Sequence, residues 1–291
     1  MKTVVESFMI KKKNSDKEQK MKKIIVGGIL VGAALVSISS LIFHNQVRQT
    51  EYVTKNKIDT LIVDDRNTPI QVIGTNAKQV QIHYSKTRNT DYKIQQKDQT
   101  LKFVRNRSNW WSPNFFGLGN DHAQVTIQVP QEQLKDLQVE TSNAQVSVKN
   151  VSLATLELET SNSEVSVLDT KADEIETQTS NGHLELTNLT FNEGSFETSN
   201  SKITLKNLLF KTGEFETTNG AIHLANIQPK ESLALETSNA KVTGIMIGNQ
   251  NDFAIDAKTS NAKNNLVKRA TGSKELTVRT SNGAIDIAIQ P

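Results

Sequence analysis

The sequence predicts an all-β protein: a parallel right-handed β-solenoid with coils of about 19–22 residues, preceded by one transmembrane helix. Three observations lead to this prediction. The tripeptide Thr-Ser-Asn recurs at nearly constant spacing through the second half of the chain. Apolar and polar residues alternate on both sides of each copy, which is the period of a β-strand. One apolar run near the N-terminus has the length of a membrane span.

The predicted organisation has four segments. Residues 1–23 form a cytoplasmic tail, residues 24–43 the transmembrane helix, residues 44–130 an irregular β-rich leading and capping region, and residues 131–291 the solenoid repeats. The leading region contains strand-like segments such as "IDTLIVDD" but lacks the repeated tripeptide. We therefore expect it to cap the repeats.

The apolar run at residues 24–43 carries no charge over 20 residues, and a helix of that length spans about 30 Å, the thickness of a hydrocarbon core. Lys20, Lys22 and Lys23 precede it, so the positive-inside rule places the N-terminus in the cytoplasm. The expected location is the cell membrane, with a single pass and the bulk of the chain outside the cytoplasm. A cleaved signal peptide is the alternative, and Met21 is a second candidate for the start.

A GxxxG spacing lies within this run. Gly28 and Gly32 would share one face of the helix and could pack two copies into a homodimer. The alternative is that they have no such role, because glycine is common in membrane helices.

The repeats define the predicted coils. Thr-Thr-Asn replaces Thr-Ser-Asn once, and the tripeptides begin at Thr141, Thr160, Thr179, Thr198, Thr217, Thr237, Thr259 and Thr280. A single repeat would bury about four apolar side chains at ~1.5–3 kcal/mol each, whereas ordering its backbone costs ~1–2 kcal/mol per residue. One repeat therefore cannot fold alone. Consecutive repeats must stack, with equivalent strands parallel and about 4.8 Å apart.

The tripeptide is interpreted as the corner of each coil. Its asparagine tolerates the left-handed backbone of a sharp turn, and a small residue always follows it. In a stack the amides would align into a structural ladder of hydrogen bonds, formed by Asn143, Asn162, Asn181, Asn200, Asn219, Asn239, Asn261 and Asn282. The functional alternative is a ligand-binding row, as on ice-binding or calcium-binding solenoids, but the Thr shares its face with apolar residues and no calcium pattern recurs.

Charge and composition exclude several functions. Residues 131–291 hold 14 Lys or Arg and 21 Asp or Glu, a local charge of −7 that argues against a nucleic-acid partner. The chain has no cysteine, its five histidines show no metal spacing, and no catalytic or cofactor motif is present. The prediction is therefore a protein that is not an enzyme, with no cofactor, no metal and no catalytic residue.

Two features remain as candidates for function. The aromatic stretch "NWWSPNFFGLGN" contains Trp110, Trp111, Phe115 and Phe116, which either plug the open end of the core or contact lipid or a partner. An outward acidic column is also expected, and its members are Glu157, Glu176, Glu197, Glu216 and Glu236. Such a column is typical of a solvated face, although a carbohydrate-active solenoid would also need clustered carboxylates.

A family resemblance supports this interpretation. The segment "VTIQVPQEQLKDLQVETSNAQVSVKNVSLATLELETSNSEVSV" combines a Val-x-Ile-x-Val-Pro lead-in, Val125 to Pro130, with repeated Thr-Ser-Asn-small corners. It resembles the β-strand-repeat "putative adhesin" domain of unknown function in Gram-positive bacteria, over roughly residues 50–291. Some members are exported or membrane-anchored proteins of Lia-type cell-envelope stress responses. The resemblance implies an envelope role and brings no catalytic residues.

The expected function is therefore a membrane-anchored extracytoplasmic solenoid that binds envelope proteins or wall polymers, in adhesion or the envelope-stress response. The alternative is a carbohydrate-active solenoid that acts on cell-wall polysaccharide. A third possibility is a regulatory partner of a membrane sensor, contacted through the anchor helix.

Overall fold

The computed structural model describes residues 48–86, 90–106 and 123–291, which are mostly β-strand, with turns and bends between the strands. Within these ranges one 3₁₀ turn, Gln250–Asp252, interrupts the strands near the C-terminal end. Within these ranges no helix is long and apolar enough to cross a membrane. The predicted helix at residues 24–43, with Gly28 and Gly32, lies outside the described residues.

The leading region contributes strands in which buried and half-exposed residues alternate, because every second side chain faces the core. They are β1 (Arg48–Val53), β2 (Thr60–Asp64), β3 (Ile70–Thr75), β4 (Gln81–Lys86), β5 (Tyr92–Lys97), β6 (Thr100–Arg105) and β7 (Val125–Pro130).

The repeat region contributes the longer strands, in which Leu, Ile, Val and Phe occupy the buried positions. They are β8 (Asp136–Glu140), β9 (Val146–Lys149), β10 (Ser152–Thr160), β11 (Val165–Leu168), β12 (Lys171–Thr179), β13 (Leu184–Thr198), β14 (Ile203–Thr217), β15 (Ile222–Thr237), β16 (Val242–Ile247), β17 (Phe253–Thr259), β18 (Lys274–Thr280) and β19 (Ile285–Gln290).

Strands β8 to β15 pair in parallel with the register of the sequence repeat. Ile175 of β12 lies opposite Leu156 of β10 on one side and opposite Gly194 of β13 on the other, so equivalent positions of neighbouring repeats share one row. The inward rows form one continuous apolar core. Burial of that core is the main driving force of the fold.

The predicted parallel right-handed β-solenoid is nevertheless wrong. All 19 strands of the described residues belong to one mixed sheet, in which the pairs β1–β4, β4–β7 and β5–β6 are antiparallel. Strands β5 and β6 are joined only by Asp98 and Gln99, and Asp98 has a φ of 53°. A two-residue turn with positive φ can join only antiparallel neighbours, and this is why the leading region departs from parallel stacking.

The strand order at the C-terminal end also departs from a coil-by-coil stack. Strand β18 lies between β15 and β17, although it follows both in sequence. Strand β19 pairs with β16, and its other edge is covered by residues 263–265. The last part of the chain is thus inserted between two earlier parts.

Insertion also occurs at the other end. Strand β2 lies between β6 and β8, and β3 lies between β7 and β9. Strands β4, β5, β6 and β7 therefore lie on the outer side of β2 and β3. The chain then returns to the opposite side of these strands to begin the repeats.

A buried polar network fastens the β5–β6 hairpin to the leading strands. The Tyr92 hydroxyl donates to Asp65 Oδ2 at 2.5 Å, and Arg105 Nη1 donates to Asp65 Oδ1 at 3.2 Å. The other acceptor sites of Asp65 receive the backbone N–H groups of Asn67 and Thr68, both at 2.9 Å. Burial, followed by the Asp65 charge, raises the pKa of Tyr92, which therefore stays a neutral donor.

Neighbouring coils place their large and small core residues at different positions. Phe191 stacks on Phe210, and Phe196 stacks on Phe215, each pair with ring centroids 4.8 Å apart. Gly194 lies between two of these rings, and a Cβ there would stand 2.6 Å from both Phe191 and Phe196. In the preceding coil the sizes are reversed: Ala172, Ile175 and Thr177 lie opposite Phe191, Gly194 and Phe196, respectively. Large and small residues are therefore redistributed so that each layer fills the same space.

Candidate functional site

The strands that end in the repeated Thr form one broad face of the sheet. We define the acidic face as the outward positions one, three and five residues before the repeated Thr in β8, β10, β12, β13, β14 and β15. At these positions every strand contributes at least one carboxylate and none contributes Lys or Arg. Three exposed lysines lie outside the face, nearer the N-terminal side of the same strands: Lys171, Lys211 and Lys230. The carboxylates belong to Asp136, Glu140, Glu157, Glu159, Glu174, Glu176, Glu193, Glu197, Glu214, Glu216 and Glu236.

The predicted acidic column is divided between two rows. Glu197, Glu216 and Glu236 are direct neighbours in the row that immediately precedes the Thr corner. Glu157 and Glu176 lie in the next row, two residues earlier in each strand. The prediction of one column was wrong because it ignored each residue's distance from the repeated Thr, which fixes the register.

Neighbouring carboxylates repel one another within this face. Partial burial, followed by the charges of Glu236, Glu197 and Glu214, raises the pKa of Glu216. Within the described ranges none of the acidic-face carboxylates forms an ion pair. The face therefore presents an uncompensated negative potential to solvent.

A groove of about 430 Å³ crosses this face over several strands. Its carboxylates come from Glu174, Glu176, Glu193, Glu214 and Glu275. No Lys, Arg or His lines the groove. Its remaining lining residues are uncharged: Ile175, Gly194, Ser195, Thr212, Gly213, Ser232, Leu233, Ala234 and Thr277. The groove can accept hydrogen bonds and attract cations, and its acidic side chains are all exposed.

No metal centre is formed by the residues that the structure describes, since they contain no group of three or more His, Asp or Glu side chains able to hold an ion. His183 and His223 point to different partners: Nδ1 of His183 is 2.7 Å from Lys202 O, and Nδ1 of His223 is 3.3 Å from Thr243 Oγ1.

The structure brings the eight tripeptide asparagines into one column. Between neighbours, each Nδ2 lies 2.7–2.8 Å from the next Oδ1, and the column extends to Asn67 in the leading region. Asn282 lies between Asn239 and Asn261, which follows from the inserted β18. The column runs along a corner of the sheet and does not line the groove.

The left-handed backbone expected at these corners lies elsewhere. In the repeat region it occurs at Asn150 and Asp169, which follow β9 and β11, and at the equivalent Asn188, Asn207 and Asn226, which lie within the continuous strands β13, β14 and β15. Their side chains form a second ladder, in which Asn188 donates to Asp169 at 2.8 Å and Asn207 donates to Asn188 at 2.8 Å. The signal was present in the sequence as an Asn or Asp every 19 residues. It was missed because the flanking residues vary.

The four aromatic residues proposed for a contact, Trp110, Trp111, Phe115 and Phe116, lie outside the described residues. They remain a prediction. The groove residues were not predicted as a site, because their Ser, Thr and Gly members carry no motif and become neighbours only through the strand register.

These observations define the chain as an all-β domain of laterally paired strands that presents a broad acidic face with an open groove. The chain belongs to the Toastrack DUF4097 family, which it matches over residues 58–288. This match confirms the resemblance to the "putative adhesin" domain drawn from the sequence.

Comparison with solved structures finds similar chains at low sequence identity. A putative adhesin from Bacteroides fragilis is 14% identical, with 84% of this chain and 97% of that chain covered and a TM-score of 0.52. A putative adhesin from Parabacteroides merdae is 13% identical, with coverage of 84% and 96% and a TM-score of 0.44. A putative lipid binding protein from Parabacteroides distasonis is 9% identical, with coverage of 82% and 97% and a TM-score of 0.42. No curated protein matches the chain.

Proposed function

We propose that the protein is a non-enzymatic interaction domain of the cell envelope that binds a cationic partner on its acidic face. The family match and the adhesin-like fold support an interaction role. The observation that carries the proposal is the acidic face, whose three outward rows before the repeated Thr hold eleven carboxylates and no Lys or Arg over six neighbouring strands. Among the described residues none of these carboxylates forms an ion pair.

Binding explains this face better than catalysis does. A glycoside hydrolase needs one carboxyl group whose pKa is raised by burial, so that it can donate a proton near neutral pH. The groove carboxylates of Glu174, Glu176, Glu193, Glu214 and Glu275 are all exposed. Glu216, whose pKa is raised, is not among the groove residues.

The partner's chemistry follows from the charge. Carboxylates about 4.8 Å apart along each row repel one another, and a partner with several Lys or Arg residues relieves that repulsion when it binds. Long-range attraction would also accelerate the encounter. We therefore expect the partner to be a basic segment of an envelope protein.

A labelled Lys-rich peptide tests this proposal directly. The full chain should bind it with an affinity that falls steeply between low and physiological salt, as measured by fluorescence anisotropy. The variant E176Q/E214Q should bind several-fold more weakly, because two groove charges are lost. The matched control E164Q/E185Q removes two carboxylates outside the acidic face, one just before β11 and one in the N-terminal half of β13, and should bind as the unchanged chain does. Equal weakening in both variants would show that only net charge matters and would contradict a defined binding face.

The alternative of a carbohydrate-active protein is tested with purified wall polysaccharide. We expect no release of reducing ends above a buffer blank. Release that scales with protein concentration and disappears in E176Q would overturn the non-enzymatic proposal.

A role in a Lia-type envelope-stress response, and a location outside the cytoplasm, are part of the same proposal. The resemblance of the Val125 to Pro130 lead-in and of the repeated corners supports them. Deleting the gene should lower survival under a wall-targeting antibiotic, and a chain carrying E176Q/E214Q should fail to restore it. Full restoration by that variant would separate the acidic face from the cellular role.

A further inference from the structure

The C-terminal end of the sheet is closed by a cap formed by residues 260–273. Ile255 and Arg269 exchange backbone hydrogen bonds of 2.9 and 3.0 Å, which covers part of the outer edge of β17. The Asn264 side chain donates to Ala257 O at 3.0 Å, and Leu266 is only 9% exposed. Backbone and side-chain hydrogen bonds and the buried Leu266 therefore fix the cap against the sheet.

The charge of this end is opposite to that of the acidic face. From residue 257 to residue 274 the chain contains no acidic residue and five basic ones, which we call the basic cap: Lys258, Lys263, Lys268, Arg269 and Lys274. The neighbouring carboxylate of Asp256 is already engaged by Arg279, whose Nη1 also donates to Asp256 O at 2.8 Å. The basic cap is thus left without an ion pair among the described residues.

The exposure of Val267 points to a ligand at the basic cap. Val267 is 69% exposed and is the exposed large hydrophobic residue of the described ranges, and Lys268 follows it. The Nε atom of Arg269 is buried and has no hydrogen-bond partner within the part of the chain that the structure describes. The buried Nε cannot reach a surface, but an exposed apolar side chain beside several exposed cations favours a surface that is anionic and partly apolar.

From these observations we infer that the basic cap docks end-on to an anionic lipid bilayer. A bilayer supplies phosphate oxygens to Lys263, Lys268 and Arg269, and an apolar layer to Val267. A soluble polyanion would satisfy the charges but would leave Val267 in water. Because the acidic face is repelled by the same lipids, the contact is restricted to this end of the domain.

The absence of cysteine from the chain allows a local probe. In the full chain, V267C labelled with an environment-sensitive fluorophore should shift to shorter wavelength with phosphatidylglycerol vesicles and should be quenched by spin-labelled lipid. Phosphatidylcholine vesicles should have no effect. The matched control S180C, at an exposed corner of the repeats, should not respond to either vesicle, which separates contact at the cap from binding through any other part of the chain.

Charge variants in the labelled chain complete the test. K263S and K268S should each reduce the response at fixed lipid by about five-fold, the effect expected of one cation near an anionic surface, while K202S/K206S should leave it unchanged. A V267C response that is insensitive to lipid charge, or equal in S180C, would overturn the inference. A V267C response to soluble polyphosphate without one to vesicles would also overturn it, in favour of a polymer partner.

Discussion

Within the column, the asparagine side chains of the repeated corner serve as both donor and acceptor of hydrogen bonds. Asn181 donates to Asn162 at 2.8 Å and accepts from Asn200 at 2.7 Å. Only the terminal members lack one neighbour, and Asn261 makes a single ladder bond, to Asn282. A net hydrogen bond contributes about 0.5–1.5 kcal/mol, so the contribution of a corner residue should depend on its place in the column.

The first prediction compares two members of this ladder. Asn181→Ala removes two amide hydrogen bonds and should lower the free energy of unfolding by about 1–2 kcal/mol. Asn261→Ala removes one and should cost about half as much. Urea denaturation monitored by circular dichroism measures both. Equal losses would show that the ladder bonds are not what the asparagine contributes.

The second prediction concerns Glu216, whose pKa is raised by partial burial and by neighbouring carboxylates. A carboxyl group with a raised folded-state pKa stabilises the fold below its ordinary pKa of 4.5 and loses that contribution as pH rises through the folded value. Glu216→Gln should therefore raise the melting temperature at neutral pH. The corresponding gain in the free energy of unfolding should be less than about 0.5 kcal/mol. The difference should vanish well below pH 4.5. A gain that is the same at both pH values would exclude charge repulsion as its cause.

At this scale the sequence predicted which side chains recur together, because a fixed spacing places equivalent residues in one row. It did not predict the backbone of each corner. Asn143 and Asn150 are both compatible with a left-handed conformation, and only Asn150 adopts it. The choice depends on how the two strands around each corner meet the core, which composition does not determine.

At the scale of the element, each strand fits its neighbours by volume. The ring stacks of Phe191 with Phe210 and of Phe196 with Phe215 occupy the space that a side chain at Gly194 or Gly213 would need. The alternation of apolar residues predicted these strands. The exchange of sizes between coils was not predictable from one coil, because the partner of each residue comes from a different repeat.

The third prediction tests this exchange. Gly194→Ala places a methyl group against Phe191 and Phe196 and should destabilise the protein by about 1–3 kcal/mol through overpacking. The double variant G194A/F196L removes ring atoms and should recover part of the loss in the same denaturation experiment. Additive losses would mean that the methyl group does not meet the ring.

At the scale of the whole molecule, the strand order is not the sequence order. Strand β17 pairs with β18, and β18 pairs with β15, so the outermost strand is held by one that follows it in the chain. The sequence could not predict this arrangement. The segments "FAIDAKT" and "KELTVRT" alternate apolar and polar residues in the same way, so the alternation does not indicate which of β17 and β18 lies next to β15.

The fourth prediction follows from this order. A chain that ends at Ser273 still contains β17 but lacks its partner, so the backbone amides of residues 253–259 should exchange with solvent rapidly. The amides of β13 and β14 should keep their protection, which serves as the internal control. Mass-spectrometric hydrogen exchange measures both. Continued protection of β17 in the shortened chain would mean that it can pair directly with β15.

The edge beside β19 has a further consequence. The Asn265 side chain receives the N–H of Ile287 at 3.1 Å and donates to its carbonyl at 3.1 Å, as the peptide group of an additional strand would. A second chain that approached this edge would find those two groups already occupied by an amide that cannot itself extend the ladder. An exposed sheet edge can pair with a strand of another chain and so start aggregation. The Asn265 side chain blocks that pairing at Ile287.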